Sequence, residues 1–309
     1  MGRGVGVCAR NTEENCLYFI IIYIMVKTLL PKKNGSRFED VKTHCLNNEL
    51  IGIESIKSAQ ESGMESNEFV HIIKSVLKNY EKPVIVKIHD STSIYINKEL
   101  LAIEELSTFK NAVKSVCNFS CFDNKARWWS KTDSEKDVKF CSSEKDKLHF
   151  FVYEYIENAD IEDFFKSGPS IMEIKNVLLQ SALAIMMLGK KYNIMHGDLN
   201  TGNILFAKTD KKTSSYELDS IKYTVDTNGR IPKLIDFGRC KKIRGNANIS
   251  IMDDVYILLS VLSVWITNKH LKTDFKNFIL DESNKKTQNM HAFIQNFGEF
   301  FDHHVIEQM

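Results

Sequence analysis

Apolar residues recur along the chain with two different periods, which divide it into a strand-rich first half and a helix-rich second half. The segments Pro83 to Ile88 (PVIVKI) and Leu148 to Ile156 (LHFFVYEYI) are β-branched and aromatic runs, and they predict strands. From Ile171 to Gly189, apolar residues repeat at helical spacing after Ser170-x-x-Glu173, a pair typical of a helix N-terminus. This order predicts two lobes with a cleft between them, where ligand sites commonly lie.

Other patterns predict turns, loops and further helices. Asn228-Gly229 lies between two alternating runs in SIKYTVDTNGRIPKLIDFG, which is the strongest short-range signal for a hairpin. Lys125 to Lys147 and Ala207 to Ser220 are largely polar, and we expect both to be solvated surface loops. Near the C-terminus, DFKNFIL and HAFIQNFGEFF have the spacing of amphipathic helices.

The composition is that of a globular protein with balanced charge. Of 309 residues, 43% are hydrophobic and 26% charged, and 41 basic against 40 acidic side chains leave a net charge of +1. Because a net charge this close to zero creates no overall electrostatic attraction to nucleic acid, we expect no nucleic-acid partner. The seven cysteines contain no CxxC pair with zinc-like spacing, so we expect buried or idle thiols in a reducing, cytoplasmic compartment.

An apolar run from Cys16 to Val26 lies near the N-terminus. It is shorter than the ~17–25 residues that span a bilayer. Acidic residues also precede it where a signal peptide has a positive segment. We therefore interpret residues 1–40 as an N-terminal extension and do not expect membrane association through residues 16–30, with a buried strand or an interfacial anchor as the alternatives for the run. Translation from Met25 would remove the run altogether.

Three polar residues in and after the segment HGDLNTGNIL have the chemistry of phosphoryl transfer. They are Asp198, Asn203 and, in the later segment IDFG, Asp236. The reaction needs Mg²⁺ to neutralise charge on the polyphosphate and a carboxylate to accept the proton of the acceptor hydroxyl. Because Mg²⁺ prefers hard oxygen ligands, Asp198, Asn203 and Asp236 together can supply the metal ligands and the base if the predicted hairpin brings Asp236 beside the turn. Alone, each of these residues is more often a turn former.

The combination H-x-D-x-x-x-x-N followed by D-F-G is the paired signature of the protein-kinase-like fold. From about Asn48 to about His270, the chain resembles eukaryotic-type protein kinases. The resemblance implies an α+β, bilobal protein-kinase-like fold with a β-rich N-lobe and a mostly helical, reduced C-lobe. The domain boundaries it implies are 1–40 for the extension, 41–157 for the N-lobe and hinge, and 158–309 for the C-lobe. It also implies ATP as the phosphate donor, Mg²⁺ as the cofactor and a protein as the substrate. In this family pattern Asn203 and Asp236 are the metal ligands and Asp198 is the catalytic base.

Two charged residues of the first half match this family's nucleotide site. Lys87, at the end of Val84-Ile85-Val86-Lys87, resembles the strand lysine that grips the α- and β-phosphates. Glu99 in KELLAIEEL resembles its glutamate partner, with Glu104 and Glu105 as alternatives. The alternative without function is that Lys87 is an ordinary strand lysine and that Glu99 is an exposed glutamate on a surface helix.

The segment Val152 to Ile156 resembles the hinge that joins the lobes and binds adenine through main-chain groups. The resemblance makes Tyr153 the bulky gatekeeper. It also brings the Glu154 carbonyl and the Ile156 amide to adenine, and it places Asp160 near the ribose.

The sequence departs from the family pattern at several positions. The glycine-rich loop is nearly absent, because KSAQESGMESNEF offers only Gly63. Gly197 stands where many protein kinases carry an arginine that pairs with a phosphorylated activation loop. Asn200 stands where a lysine usually contacts the transferred phosphate, and we keep it as a catalytic candidate. Fourteen residues separate Gly238 from Asp253, and they contain no A-P-E motif.

After this short segment, Asp253 and Asp254 open an apolar helical run to Ile266. It resembles the helix whose aspartate braces the catalytic turn through backbone amides, and Asp254 is our choice for that role. Together with the long predicted hairpin before D-F-G, these features resemble the divergent serine/threonine kinases encoded by large DNA viruses.

Three functions fit these residues. The expected one is a serine/threonine protein kinase that transfers the γ-phosphate of ATP to protein hydroxyls. The style of HGDLNTGN and the missing A-P-E also resemble small-molecule kinases of the aminoglycoside and choline phosphotransferase type. The degraded glycine loop suggests a non-catalytic pseudokinase that binds partners, although Lys87, Asp198, Asn203 and Asp236 are all present.

Overall fold

A computed structural model describes residues 50–58, 70–77, 80, 82–90, 92–123, 141, 144–157, 161–284 and 289–306. These residues all lie in one compact unit, His44–Met309. The N-terminal apolar run, Gly63 and Asp160 lie outside the described residues, as does most of the polar stretch from Lys125 to Lys147.

The first half of the described chain forms a five-stranded antiparallel sheet with the order β1-β2-β3-β5-β4. The predicted strands at Pro83 and Leu148 are confirmed as β3 and β5, which pair with each other inside the sheet. Most of their apolar side chains are fully buried, including those of Val86 and Phe150. The five strands are β1 (Leu50–Ser58), β2 (Val70–Leu77), β3 (Pro83–Asp90), β4 (Ser115–Asp123) and β5 (Asp146–Glu154).

Among the described residues six helices accompany the sheet, and five of them follow it in sequence. Between β3 and β4 the chain forms α1 (Ile96–Glu105). The other five are α2 (Ile161–Lys166), α3 (Ile171–Tyr192), α4 (Ala247–Ser263), α5 (Lys269–Asn284) and α6 (Met290–Ile306). The order therefore confirms an α+β fold with a β-rich N-terminal part and a helical C-terminal part.

Helix α3 is the core of the helical part. Its predicted capping box is present: Ser170 Oγ accepts from the Glu173 N–H at 3.2 Å, and Glu173 Oε2 accepts from the Ser170 N–H at 2.8 Å. Caps of this kind stabilise a helix by about 1 kcal/mol. By length and composition α3 is apolar enough to cross a membrane, but 72% of its most apolar stretch is buried inside the protein. Its hydrophobicity thus serves packing against the other helices.

The two predicted amphipathic helices near the C-terminus are confirmed as α5 and α6. They join through phenylalanine rings, with Phe275 of α5 packed edge-on against Phe297 of α6 at a centroid distance of 5.9 Å. Phe275, Phe293, Phe297 and Phe301 are all completely buried. This aromatic cluster completes the core of the C-terminal part.

Short strands and two 3-10 turns, η1 and η2, connect α3 to α4. Strand β6 pairs with β11, β7 with β10, and β8 with β9, each in an antiparallel manner. Their bounds are β6 (Ile194–Met195), η1 (Thr201–Asn203), β7 (Ile204–Lys208), β8 (Thr213–Leu218), β9 (Ile221–Asp226), β10 (Arg230–Leu234), η2 (Phe237–Arg239) and β11 (Lys241–Lys242).

The hairpin predicted around Asn228-Gly229 is wrong in its pairing, although the turn exists. Asn228 and Gly229 both have positive φ, 46° and 74°, as a tight turn of this type requires. The strand before the turn pairs with β8, however, and the strand after it pairs with β7. A local turn signal fixes the turn but leaves the choice of strand partners to the rest of the fold.

The prediction of a solvated loop from Ala207 to Ser220 is also wrong. This stretch contains the end of β7 and all of β8, and Tyr216 and Leu218 of β8 are fully buried. The polar Ser214 is buried on the same face as these two residues. The sequence of β8 therefore does not show the strict alternation of apolar and polar residues that predicts a strand. A turn formed by Asp219 and Ser220, both at positive φ, then leads into β9.

Helix α4 begins earlier and ends earlier than predicted. It starts at Ala247 rather than Asp253 and ends at Ser263 rather than Ile266. The side-chain oxygen of Asn246 caps it by accepting from the Asn248 N–H at 3.1 Å and the next N–H at 3.3 Å. Only residues 240–246 therefore lie between η2 and α4.

Three of the described cysteines, Cys117, Cys121 and Cys141, are disulfide-bonded and differ from the expectation of idle thiols. Cys121 and Cys141 form a disulfide, joining the end of β4 to the residues before β5. Their separation of 20 residues matches no short motif, so the pair was invisible before the strands were placed. Cys240 is a buried free thiol, as expected. The compartment itself stays a prediction.

The contact of α3 with α4 generates a stability prediction. A Cβ on Gly189 would lie 2.2 Å from Cγ1 of the buried Ile251. Gly189→Ala should therefore lower the free energy of unfolding by about 1–3 kcal/mol through overpacking. Urea denaturation of the purified protein measures this change.

Gly298 in α6 supplies the matched control, because a Cβ there meets no atom within 4 Å. Gly298→Ala should raise the free energy of unfolding by about 0.5–1 kcal/mol, since alanine has the better helix propensity. Equal effects at both glycines would contradict the close packing of α3 on α4.

Candidate active site

One buried ammonium group joins three elements of the fold. Lys87 Nζ lies 3.0 Å from Glu99 Oε2 and 2.7 Å from Asp236 Oδ1. Lys87 belongs to the central strand β3, Glu99 to the first turn of α1, and Asp236 to the start of η2. Lys87 and Glu99 are 7% and 1% exposed, whereas the Asp236 side chain is 38% exposed. The structure thus brings together three of the residues that the sequence singled out.

The other two glutamates of α1 do not take this position. Glu104 is exposed, and Glu105 forms an ion pair with Lys242 of β11. Glu99 faces the sheet because it lies three and seven residues before the buried Ala102 and Leu106.

The charges in this cluster reinforce one another. Burial alone would lower the pKa of Lys87, but the carboxylates of Glu99 and Asp236 outweigh it and raise the pKa above its usual value. Burial opposes ionisation of Glu99 as well, yet the Lys87 charge and hydrogen bonds from its neighbours lower its pKa to about 2. Both groups are therefore charged throughout the neutral range.

Tyr153 contributes a contact that was not predicted. Its hydroxyl donates to Glu99 Oε1 at 2.6 Å, so the two carboxylate oxygens of Glu99 have different donors. Burial, with the nearby Glu99 charge, raises the Tyr153 pKa well above its usual value and keeps the hydroxyl as a donor. Sequence reasoning placed Tyr153 as a gatekeeper but had no signal for this bond, because strand β5 and helix α1 are distant in sequence.

A buried histidine pair lies behind the same glutamate. His89 Nε2 lies 3.4 Å from Glu99 Oε2, and His89 is paired across the strands with His149. Burial, together with His89, lowers the pKa of His149 to about 4. Its Nδ1 lies 2.6 Å from Ser120 Oγ. Sequence reasoning missed both histidines, since neither belongs to a motif.

The turn that carries Asp198 is braced from α4. Asp254 Oδ2 accepts a hydrogen bond from the His196 N–H at 3.0 Å, which is the contact predicted for this aspartate. Burial raises the pKa of Asp254 to about 6, although the backbone donors of His196 and Gly197 act in the opposite direction. The His196 ring is completely buried, and its Nε2 lies 2.9 Å from the Ile235 carbonyl oxygen. The turn is thus fixed to α4 and to the residue before Asp236.

Asn203 links the turn that carries Asp198 to the segment that carries Asp236. Its Nδ2 donates to the Asp198 carbonyl oxygen at 2.7 Å and lies 3.3 Å from Asp198 Oδ2. These contacts use the amide nitrogen of Asn203 and not its Oδ1 atom. Asn203 and Asp236 are close because β7 and β10 pair and the Ile235 N–H donates to the Asn203 carbonyl at 3.0 Å.

These two residues fit a magnesium site of the kind that the resemblance implies. Among the described residues, no group of three His, Cys, Asp or Glu side chains is arranged to hold a metal ion. Mg²⁺ keeps several waters and often needs only one or two protein ligands beside the substrate phosphates. One amide oxygen and one partly exposed carboxylate satisfy that requirement.

Asn200 has a local structural contact. Its Oδ1 accepts from the Gly202 N–H at 2.8 Å and caps η1, while its Nδ2 donates to the Asp198 carbonyl oxygen at 3.3 Å. The side chain thereby fixes the turn around Asp198. Its predicted catalytic role stays a prediction.

The predicted hinge residues lie at the end of β5. The Glu154 carboxylate accepts from the Lys114 N–H at 3.0 Å and lies 3.6 Å from Lys233 Nζ. The Tyr155 N–H donates to the Pro83 carbonyl at 3.3 Å, which holds the segment against β3. Adenine binding by the Glu154 carbonyl and the Ile156 amide stays a prediction. For Gly63 and Asp160 the predicted roles concern positions outside the described residues.

Gly197 explains one departure from the family pattern. Its φ is +75°, and a Cβ there would lie 2.5 Å from the Arg239 carbonyl oxygen. Because backbone meets backbone at this point, a side chain does not fit without displacing the segment after Asp236. An arginine is therefore excluded from this position by the local geometry.

Comparisons with known proteins give little beyond the fold. No protein-family model matches the chain. Over 63 residues, 20% of this chain and 21% of the other, it is 38% identical to an uncharacterized protein of Caenorhabditis elegans, ZK177.2. The match thus spans about a fifth of that relative. Two solved structures align with TM-scores of 0.42, the autoinhibited serine kinase domain of titin and a Plasmodium kinase domain.

The titin kinase alignment has 14% identity and covers 73% of this chain and 66% of that one, and the Plasmodium alignment has 16% identity and covers 73% and 68%. The resemblance to kinases of large DNA viruses stays a prediction.

The Lys87 cluster generates a stability prediction. Glu99→Gln leaves the buried ammonium with one carboxylate, so the free energy of unfolding should fall by on the order of 3 kcal/mol at pH 7. Because the folded-state pKa of Glu99 is below its ordinary value of 4.5, its contribution is present above pH 4.5 and is lost as the pH falls towards 2. The difference between wild type and variant should therefore shrink over that range. Urea denaturation at several pH values measures it.

Glu104→Gln on the exposed face of the same helix is the matched control. It should change the free energy of unfolding by less than about 0.5 kcal/mol, with no such pH dependence. A Glu99→Gln protein as stable as the Glu104→Gln protein would contradict the buried ion pair.

Proposed function

We propose that the protein is an ATP-dependent phosphotransferase, a serine/threonine protein kinase that transfers the γ-phosphate of ATP to protein hydroxyls. The observation that carries the proposal is the position of Lys87 Nζ between Glu99 and Asp236, at 3.0 and 2.7 Å. An ammonium group held in this way is oriented to bind phosphate oxygens beside a metal-binding carboxylate. A strand lysine with only a structural role has no need of two carboxylates from separate elements.

In the proposed reaction each polar residue has one task. Lys87 binds the α- and β-phosphates of the substrate ATP. Asn203 Oδ1 and the Asp236 carboxylate would hold Mg²⁺, which would neutralise phosphate charge when bound. Asp198, whose side chain is 22% exposed, accepts the proton of the acceptor hydroxyl. The bond from Asn203 Nδ2 to the Asp198 carbonyl keeps the base and the metal ligand in fixed relation.

A small-molecule kinase is the second candidate, and a specific observation favours it. Helix α4 begins at Ala247, so residues 240–246 are all that lie between η2 and α4. A protein substrate needs a surface on which to dock, and this segment offers little of it. The nature of the acceptor therefore has to be tested directly.

The test is transfer of labelled phosphate from ATP by the purified protein. Generic acceptor proteins are offered in parallel with small hydroxylated and amino compounds. Label on protein serine and threonine is the expected result. Label only on small molecules would replace the proposal with the second candidate, and no label on any acceptor would favour a pseudokinase.

Two substitutions separate the metal ligand from the base. Asp236→Asn should abolish Mg²⁺-dependent transfer, because it removes the negative charge of a proposed metal ligand while it changes the side-chain volume little. Asp198→Asn should leave binding of Mg²⁺ and ATP largely unchanged and lower turnover by ~10²-fold or more. Nucleotide titration and initial rates measure the two effects, and thermal unfolding confirms that both variants are folded.

Activity of Asp236→Asn within a few-fold of wild type would contradict the metal assignment. Equal loss of binding and turnover in Asp198→Asn would contradict its role as the base.

The geometry of Gly197 predicts activity without phosphorylation. Control by a phosphorylated loop uses an arginine next to the catalytic aspartate, and the Gly197 backbone contact leaves no room for one. Protein made without an upstream kinase should therefore be active, and phosphatase treatment should change its rate little. Ser250 lies in the first turns of α4, where its N–H donates to the Asn246 carbonyl at 3.3 Å. Because its hydroxyl can be phosphorylated, Ser250→Ala serves as a second arm of the test.

Rates before and after phosphatase treatment decide this prediction. A ~10-fold loss in either arm, equal to ~1.4 kcal/mol of transition-state stabilisation, would show that phosphate-dependent ordering is required.

A further inference from the structure

Arg239, the residue directly after D-F-G, lies beside the proposed base. Its NH1 atom is 3.9 Å from Asp198 Oδ1, and 43% of its side chain is exposed. The guanidinium also lies over the Tyr95 ring, 5.7 Å from the centroid. The group is therefore close to the reacting position and accessible to a substrate.

The main chain holds Arg239 in this place independently of its side chain. The Arg239 carbonyl oxygen is in contact with Gly197, where a Cβ would approach it to 2.5 Å. The next residue, Cys240, is buried, and its N–H donates to the Phe237 carbonyl at 3.0 Å. Lys241 then pairs with Met195 in the β6–β11 ladder. Replacing the Arg239 side chain leaves each of these contacts intact.

The transferred phosphoryl group needs a cation, and other candidates at this site are engaged. Negative charge spreads over the phosphoryl oxygens in the transition state, so preorganised donors there contribute strongly to the rate. Asn200 carries no charge and uses both amide atoms within its own turn. The Lys87 ammonium, held between Glu99 and Asp236, is already assigned to the α- and β-phosphates. Arg239, by contrast, makes an ion pair at the longer distance of 3.9 Å.

We propose that Arg239 is a catalytic residue whose guanidinium binds the phosphoryl group during transfer, in place of the missing lysine at Asn200. This rests on the proposed phosphotransferase function. The acceptor oxygen bonds to the γ-phosphorus while the bond from phosphorus to the β,γ-bridging oxygen breaks, and ADP leaves with that electron pair. Asp198 accepts the hydroxyl proton. The planar guanidinium offers several N–H donors, so it can contact Asp198 and phosphoryl oxygens together.

The experiment compares Arg239→Met with Arg239→Lys and with Arg244→Met, an exposed basic residue of the same segment, as the matched control. In Arg239→Met, kcat should fall by ~10²-fold or more with KM for ATP changed by less than about threefold. Arg239→Lys should recover part of the loss, as should added methylguanidine with Arg239→Met. Arg244→Met should retain wild-type rates.

A binding measurement tests the same claim without turnover. Arg239→Met should bind Mg²⁺ and ADP as wild type does, but it should bind the ADP–aluminium fluoride complex, which mimics the transferring phosphoryl group, ~10-fold more weakly or worse. Equal affinity for that complex would overturn the proposal.

The kinetic outcomes are also distinct. Wild-type transfer with Arg239→Met within threefold would overturn the assignment of Arg239 alone, and a faster variant would show that the guanidinium blocks Asp198 instead. Failure of the wild-type protein to transfer phosphate to any acceptor would overturn this proposal together with the proposed function.

Discussion

The buried charge of Lys87 is the constraint on which the arrangement of the site depends. A charge taken out of water costs several kcal/mol unless opposite charges compensate for it. Here the compensation comes from Glu99 on α1 and Asp236 at η2, so neither the sheet nor the segment after β10 can move away without exposing an unpaired charge. Tyr153 strengthens the arrangement, because its hydroxyl occupies the second oxygen of Glu99. The ion pair thus fixes the relation between the sheet, α1 and the start of η2.

Backbone hydrogen bonds between β10 and the segment after α1 support that ion pair. The Leu234 N–H donates to the Asn111 carbonyl at 2.6 Å, and the Val113 N–H donates to the Leu234 carbonyl at 3.0 Å, which ties β10 to the segment after α1. The β8–β9 hairpin adds to this connection, since Lys110 Nζ donates to Ser214 Oγ at 2.7 Å and lies over the Tyr216 ring. The glutamate helix and the Asp236 strand are therefore linked by the main chain as well as by charge.

A feature could be predicted from the sequence when the residues that determine it are close together along the chain. The Ser170 capping box and the β3 strand follow from neighbouring residues, and both are confirmed. The partners of β9 depend on residues far along the chain, so a correct turn at Asn228 led to a wrong hairpin. In the site, motif spacing identified the residues that the structure brings together, such as Lys87 and Asp236. The Tyr153 bond and the Arg239 contact had no pattern to predict them, because they form only when separate elements meet.

The short segment between η2 and α4 is anchored along most of its length. The Arg239 carbonyl meets Gly197, the Cys240 thiol donates to the Lys98 carbonyl at 3.4 Å, and the Ile243 N–H donates to the Asn193 carbonyl at 3.1 Å. Few backbone groups are left to rearrange, so the position of this segment is determined when the chain folds. A longer segment at this position can adopt several conformations, and phosphorylation can then stabilise one of them. Here the arrangement around Asp198 follows from the packing of Gly197 against the Arg239 carbonyl and from the anchoring of the residues after it.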